Sequence, residues 1–277
     1  MHPQPPQRLN RTKLIDRTYA IASILGFVAL WEALSAIGLL NKDILPPPHA
    51  FLKEAFDQRQ FDVFRLSYAG SSTKFALVNA TLSSLARVLA GIALGFGLGI
   101  ACGGFMVYFK CAERLILPVL TLFAPISPIA WIPFAMIALG IGNKAAVFVV
   151  VIAVFFLIAI GTVTSIRNVE PIYIKTARTL GATRWQVFYH VLIPATLPSL
   201  FIIVRLNLFA AWMSVLAAEM VGVAQGLGAM VMVGRALFNV KMIFLAMTLI
   251  GICGLLLDSL LLAIQKKVLW WRVRMPY

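Results

Sequence analysis

Charge is scarce in this chain, and negative charge scarcer still: 12% of its 277 residues are Asp, Glu, Lys or Arg, and only 10 of these are acidic. An ordinary soluble domain carries roughly 25% charged residues, so this chain has too little polar surface to coat a globule in water. Cysteine is nearly missing as well. Cys102, Cys111 and Cys253 form no CxxC pair and have no His at metal-ligand spacing, and they read as small apolar side chains. No GxxxxGK[ST] stretch occurs, so the chain cannot supply the phosphate cradle of an ATPase. A membrane-embedded enzyme, such as a lipid-modifying transferase or hydrolase, would need a nucleophile with its base, paired carboxylates or metal ligands at an interface. The sequence offers no such set; His49 and His190 lie outside the apolar runs and His2 is terminal. No catalytic, cofactor-binding or metal-binding residue is expected here.

What is present is apolar: 61% of the residues are hydrophobic, which places the chain in a bilayer. A spanning helix needs about 20 mainly apolar residues, and six segments qualify: 18–40, 84–108, 115–139, 145–166, 197–217 and 242–264. The first follows Arg8, Arg11, Lys13 and Arg17 and so resembles a signal peptide. It is too long for an h-region of roughly 7–15 residues, and reads as a retained span. The expected fold is therefore all-α: a cytoplasmic segment 1–17, a six-span domain 18–264 and a tail 265–277. Within loop 41–83, LPPPHAFLKEAFDQ reads as a stop followed by a short amphipathic helix, and NATLSSLARVLAG as a helix running into the second span.

The net charge of +14 does not indicate nucleic acid, because that reading wants basic residues clustered on one face and interleaved with aromatics. Here they lie in the gaps between apolar runs. With the N-terminus inside, 14 Lys and Arg fall on that side and 8 on the other, the asymmetry that retains basic segments in the cytoplasm. Both termini are therefore expected to be cytoplasmic, as is the loop 167–194.

That loop carries KTARTLGATRWQVFYHVLIPAT, residues 175–196. Pro171 suits a first helical position, with Asn168 or Val169 as cap. Gly181 suits the left-handed residue that ends a helix. Thr183 and Gln186 have the spacing of a capping box, and Pro194 and Pro198 mark the start of the fifth span. A short helix, a sharp turn and a second helix are expected at the cytoplasmic face.

This pattern resembles the EAA loop of the permease subunits of ABC importers: E-A-A, three residues, G, nine residues, I, one residue, L-P. Here Lys175-Thr176-Ala177 is followed by Gly181, Val191, Ile193 and Pro194 at that spacing, with strict matches at Ala177, Gly181 and Pro194. Lys175 stands where the motif has Glu, and Thr176 where it has Ala. PISPIAWIPFAMIALGIG, LAAEMVG and KKVLWWR are similar to the branch of these permeases that carries nitrate, taurine, aliphatic sulfonates and similar solutes. The resemblance covers about residues 20–272. It implies a type I importer permease of a bacterial-type inner membrane, paired with a second copy or close homologue. It further implies an extracytoplasmic solute-binding protein and cytoplasmic ATPase subunits that hold the ATP and Mg. Lys175, Thr176, Ala177, Arg178, Gly181, Ala182, Arg184 and Pro194 would form the loop that docks on the ATPase, although anionic lipid headgroups compete for its cations. A passive channel would not need such a loop. The cargo would be a small anion such as nitrate, bicarbonate or a sulfonate; pyrimidine-like and vitamin-precursor cargo stay open.

Several residues stand out inside the spans. Gly91, Gly95, Gly99 and Gly103 repeat every four residues, leaving one helix face bare for close approach of another backbone. Pro118, Pro125, Pro128 and Pro133 interrupt the third span, and irregular backbone at membrane depth is tolerated where protein or a water-filled cavity covers it. Ser127 and Trp131 are therefore candidates for the wall of a path, with a kinked packing helix as the other reading. Arg205, Glu219 and Arg87 are charges in an expensive place. They are candidates for the path, for a gate or for structural pairing, and Arg87 and Glu219 could pair with each other. Glu32 and Asp258 have no evident partner in the sequence.

Overall fold

A computed structural model describes residues 7–38, 44–54 and 76–270. Loop residues 55–75, with Asp57, Asp62 and three of the eight basic residues expected outside (Arg59, Arg65 and Lys74), lie beyond the described residues, as do Trp271 and Arg272 of the tail. The described residues are helical, with no strand among them. In chain order they form α1 (Gln7–Ala36), α2 (Pro48–Glu54), α3 (Ala76–Tyr108), α4 (Lys110–Phe123), a single 3₁₀ turn (Pro128–Trp131) and α5 (Ile132–Leu139). There follow α6 (Asn143–Arg167), α7 (Pro171–Thr179), α8 (Arg184–Val187), a π-helical turn (Phe188–Leu192), α9 (Ile193–Gly222), α10 (Leu227–Ala236) and α11 (Val240–Val268).

Four stretches, Leu77–Tyr108, Asn143–Arg167, Arg184–Gly222 and Val240–Val268, are long and apolar enough to cross a membrane. The first expected span is met by the apolar part of α1, Ala22–Ala36, which is shorter than a full crossing. The third, expected over 115–139 as a span interrupted or kinked by its prolines, is interrupted. α4 and the Pro128–Leu139 segment meet at 96°, far more than a proline kink, because Pro125 and Pro128 remove two donors within four residues and the helix stops between them. This is a broken span.

The glycine stripe explains the core. A methyl group on Gly91, Gly95, Gly99 or Gly103 would fall 2.5–2.9 Å from Val150, Val154, Ile158 and Thr162 respectively. Both series advance by four, so α3 and α6 run parallel and their backbones touch along three turns. Parallel neighbours require the chain to return between them, and the broken α4–α5 pair makes that return. α9 lies antiparallel on α6, with Ile203 over Gly161 near one end and Ala218 beside Ala145 and Val149 near the other. Val88, Val150, Ile158, Leu208, Trp212 and Val215 fill the seam. α11 closes the bundle: the Trp212 indole N–H donates to the Ile250 carbonyl at 3.2 Å, and Gly254 leaves room for the ring. α1 and α2 attach through Trp31, Phe51 and Phe244, and Glu32 finds a partner in His49 of α2.

Pro194 and Pro198 lie within a helix that starts earlier, at Arg184. Residues 184–222 form one continuous helix, and the π-helical turn just before Pro194 absorbs the missing donor by shifting the Ile193 N–H onto the Phe188 carbonyl. Such single wide turns are where a helix accommodates an inserted residue. At 39 residues this helix is roughly 58 Å long, about twice the hydrocarbon thickness, so its first turns stand clear of the membrane core.

Candidate functional site

Three constellations contain the residues singled out from the sequence, apart from Ser127 and Trp131. The first is the bracket between α6 and α9. Pro171 takes the first helical position of α7, with Glu170 rather than Asn168 or Val169 as its cap. At the other end Gly181 has φ +84. Its N–H donates to the Arg178 carbonyl at 2.9 Å and that of Ala182 to the Ala177 carbonyl at 3.0 Å, the paired bonds of a Schellman cap. Thr183 opens α8 with a complete capping box: its backbone N–H donates to Gln186 Oε1 at 2.8 Å, and its hydroxyl accepts from the Gln186 N–H at 3.3 Å. Both helices are thus fixed by local bonds. Yet α7 has no buried residue; Ile172, Tyr173 and Leu180 are each more than half exposed. Lys175, Thr176, Arg178 and Arg184 are exposed and Ala177 and Ala182 partly so. A helix with no face on its own protein normally covers something else.

The second constellation lies at the opposite end of the bundle, where α6 begins. Glu219 has a fully buried side chain and Arg87 one 5% exposed, with Nη1 2.5 Å from Oε1. Ser84 donates to the same carboxylate at 2.7 Å, and the backbone N–H of Gly228 donates at 3.0 Å. Arg87 also donates to Asn143 Oδ1 at 2.9 Å and to the Gln225 carbonyl at 2.6 Å, while Ser84 accepts from the Leu227 N–H at 2.9 Å. The carboxylate therefore caps the N-terminus of α10, where free N–H groups and the helix dipole favour an anion. Gly226 makes the fit possible: with φ +132 it occupies backbone space open to glycine, and an added Cβ would sit 2.3 Å from the Glu219 carboxyl. Burying two charges this way requires that every polar atom be satisfied. The arrangement ties α3, α6, α9, the 223–226 turn and α10 into one unit.

The third is Arg205 on α9, whose Nε and Nη2 donate to the two carboxylate oxygens of Asp258 on α11 at 2.8 and 3.1 Å. This forked pair stays partly open to the outside of the chain, at 47% and 22% side-chain exposure. Arg205 does not join Glu219, since 14 residues on one helix separate them by roughly 21 Å. Ser127 is exposed at the break of the third span. Trp131 packs among Phe123, Phe134 and Phe156, and its buried Nε1 has no hydrogen-bond partner among the described residues.

Pairing of Arg87 with Glu219 was open to sequence reasoning; Ser84, Asn143, Gly226 and Gly228 were not singled out. The one signal for them is the close Gly226–Gly228 spacing after LAAEMVG, which a tight turn into a helix demands. Asp258 as partner of Arg205 has no sequence signal, because 53 residues separate them.

A helical bundle with four stretches long and apolar enough to cross a membrane defines an integral membrane protein. Residues 95–270 match the model of the family described as binding-protein-dependent transport system inner membrane component, and the chain belongs to that family of ABC importer permeases of the inner membrane. It is 32% identical over 249 residues to a putative ABC transporter permease protein of Methanocaldococcus jannaschii, covering 90% of each chain. It is 30% identical to the bicarbonate transport system permease protein CmpB of Synechocystis, over 95% of this chain and 93% of that one. The taurine transport system permease protein TauC of Escherichia coli is 25% identical, over 92% and 90%. Among solved structures, a chain of the inward-facing MetNI methionine ABC transporter superposes with a TM-score of 0.60 at 22% identity, over 72% of this chain and 99% of that one. That likeness concerns the fold, which is of the type I importer kind.

Proposed function

We propose that this chain, paired with a second permease copy or a close homologue, forms the membrane path for a small anion of the nitrate, sulfonate, taurine or bicarbonate type. An extracytoplasmic solute-binding protein delivers the anion, and cytoplasmic ATPase subunits that hold ATP and Mg drive its passage; the chain itself binds neither. Both termini and the bracket face the cytoplasm, in keeping with the distribution of Lys and Arg. The observation that carries the reading is α7, a capped helix with no buried residue, which suits a surface that seats in another protein. ATP binding closes the ATPase pair, shifts residues 171–190, and moves the long helix 184–222 as a lever. A bistable bundle needs no more than that its two states differ in affinity for the motor's two states.

The cargo class is supported by the taurine and bicarbonate relatives and by Arg205. A guanidinium already shared with Asp258 offers an anion a weak, exchangeable contact, and passage requires binding loose enough to release. Ser127 and Trp131 would line the same path. Arg87 and Glu219, fully engaged with each other, are assigned to holding the fold. The test is uptake in proteoliposomes holding the full-length chain with and without its ATPase and binding protein. Nitrate, taurine and bicarbonate uptake should be absent for the chain alone and become ATP-dependent with all partners for one of them. Leak by the chain alone would make it a channel, and lipid turnover an enzyme.

A further inference from the structure

At the Arg167 end of the bundle, a cavity of about 410 Å³ opens between α3 and the α8–α9 helix, within the roughly 300–1,000 Å³ usual for small-molecule sites. Ile100, Ala101, Phe105, Phe188, Leu197 and Leu200 supply much of its wall. Its two threonines are already engaged: Thr162 donates to the Ile158 carbonyl at 2.7 Å and Thr196 to the Ile193 carbonyl at 2.9 Å. They therefore offer a polar solute no free donor. The rim is different. Tyr108, Phe109 and Trp185 stand about half exposed around the mouth, the position amphipathic aromatics take at a membrane interface. Lys110 directly follows Phe109 and Arg184 directly precedes Trp185. Both cations are exposed, and neither makes an ion pair among the described residues.

The slot is apolar, its rim is aromatic, and an exposed cation adjoins each of two rim residues in the chain, a combination that suits a lipid. We infer that this cavity holds one acyl chain of an anionic phospholipid, whose phosphate sits between Lys110 and Arg184. The site lies beneath the π-helical turn that joins the bracket to the long helix, so a seated chain props the lever at its root. The choice of an anionic lipid rests on the cytoplasmic orientation proposed above, because that leaflet carries the negative surface. Retention of the chain itself does not depend on it.

The test uses the full-length chain purified in mild detergent from bilayers of equal parts phosphatidylglycerol and phosphatidylcholine, with retained lipid counted by native mass spectrometry. One phosphatidylglycerol per chain should survive activation that strips the remaining lipid. Ala101→Trp, which fills the slot, should lose it. Lys110→Gln with Arg184→Gln should lower the preference for phosphatidylglycerol over phosphatidylcholine roughly twenty-five-fold, two cations at about fivefold each. The second variant alters exposed side chains and stays informative if Ala101→Trp does not fold. Unchanged retention in a folded Ala101→Trp chain overturns the site. So does loss of subunit pairing in that variant with an unchanged lipid count, which would put a second copy in the cavity. Equal retention of both lipids by the unaltered chain overturns the anionic headgroup but leaves the transport reading untouched.

Discussion

The two ends of this bundle handle polar groups in opposite ways. At the Asn143 end, Glu219 is fully buried and accepts from Arg87, Ser84 and the Gly228 N–H; every bond crosses from one element to another. At the Arg167 end, α7 and α8 are held by bonds within the bracket itself, and α7 buries nothing. The cluster at one end is stapled into the core, whereas at the other end α8 packs on Tyr108 of α3 and, of the two bracket helices, only α7 stands without a buried residue. The proposed role in transmitting a push needs a defined local shape and a free face, and α7 has capped ends and no buried residue. A part that must stay put needs its bonds in the core.

That contrast is broken most strongly at Glu219. Glu219→Ala leaves the Arg87 guanidinium buried at 5% exposure with its main partner gone, and breaking a buried pair costs about 3–5 kcal/mol. The folded fraction on heating in detergent should fall accordingly. Adding Arg87→Met should recover part of the loss, since removing both charges is far cheaper than removing one. A single variant as stable as the parent would mean that the cluster is not a staple. Gly226→Ala attacks the same cluster through the backbone. Its φ of +132 and ψ of 177 belong to a region that costs a non-glycine residue about 1–3 kcal/mol, and the added methyl collides with the carboxylate at 2.3 Å. The loss should approach, without exceeding, that of Glu219→Ala, and the two should add only in part when combined, because the collision disappears with the carboxylate while the backbone cost remains.

The bracket was legible in the sequence because its determinants are local: Pro171, Gly181, Thr183 and Gln186 act within four residues of themselves. The glycine stripe was legible for the same reason, being a periodicity along one helix. Its partner face was not, because Val150, Val154, Ile158 and Thr162 look like any apolar run until the two helices are placed side by side. The break between α4 and the Pro128–Leu139 segment lay between two readings, since prolines say that a helix is interrupted but not by how much; the 96° is set by what the halves pack against. The continuous helix through Pro194 was hidden because a proline at that position normally ends a helix, and the wide turn that rescues it has no sequence signature. The partners of Arg205 and Glu32 depend on helix pairing and could not be read at all.

The smallest expected effect on stability comes from Gly181, and it separates shape from anchorage most cleanly. An added Cβ there meets nothing within 4 Å, so the only penalty is its φ of +84. A β-branched residue is poorly tolerated in that region, whereas Asn adopts it routinely because its short polar side chain bonds locally. Gly181→Val should therefore cost about 1–2 kcal/mol of bracket geometry and leave the melting behaviour of the spans unchanged, because no span touches the site. ATP-driven uptake should fall roughly tenfold, since the turn that holds the Ala182 to Ala177 bond, and with it the angle between α7 and α8, is disfavoured by that amount. Gly181→Asn should keep uptake within about twofold, a cost of a few tenths of a kcal/mol. If Val and Asn transport equally well, the turn is a mere connector and the rigidity of the bracket plays no part in coupling. If both abolish uptake, close approach of another protein at Gly181, rather than its conformation, is what the position demands.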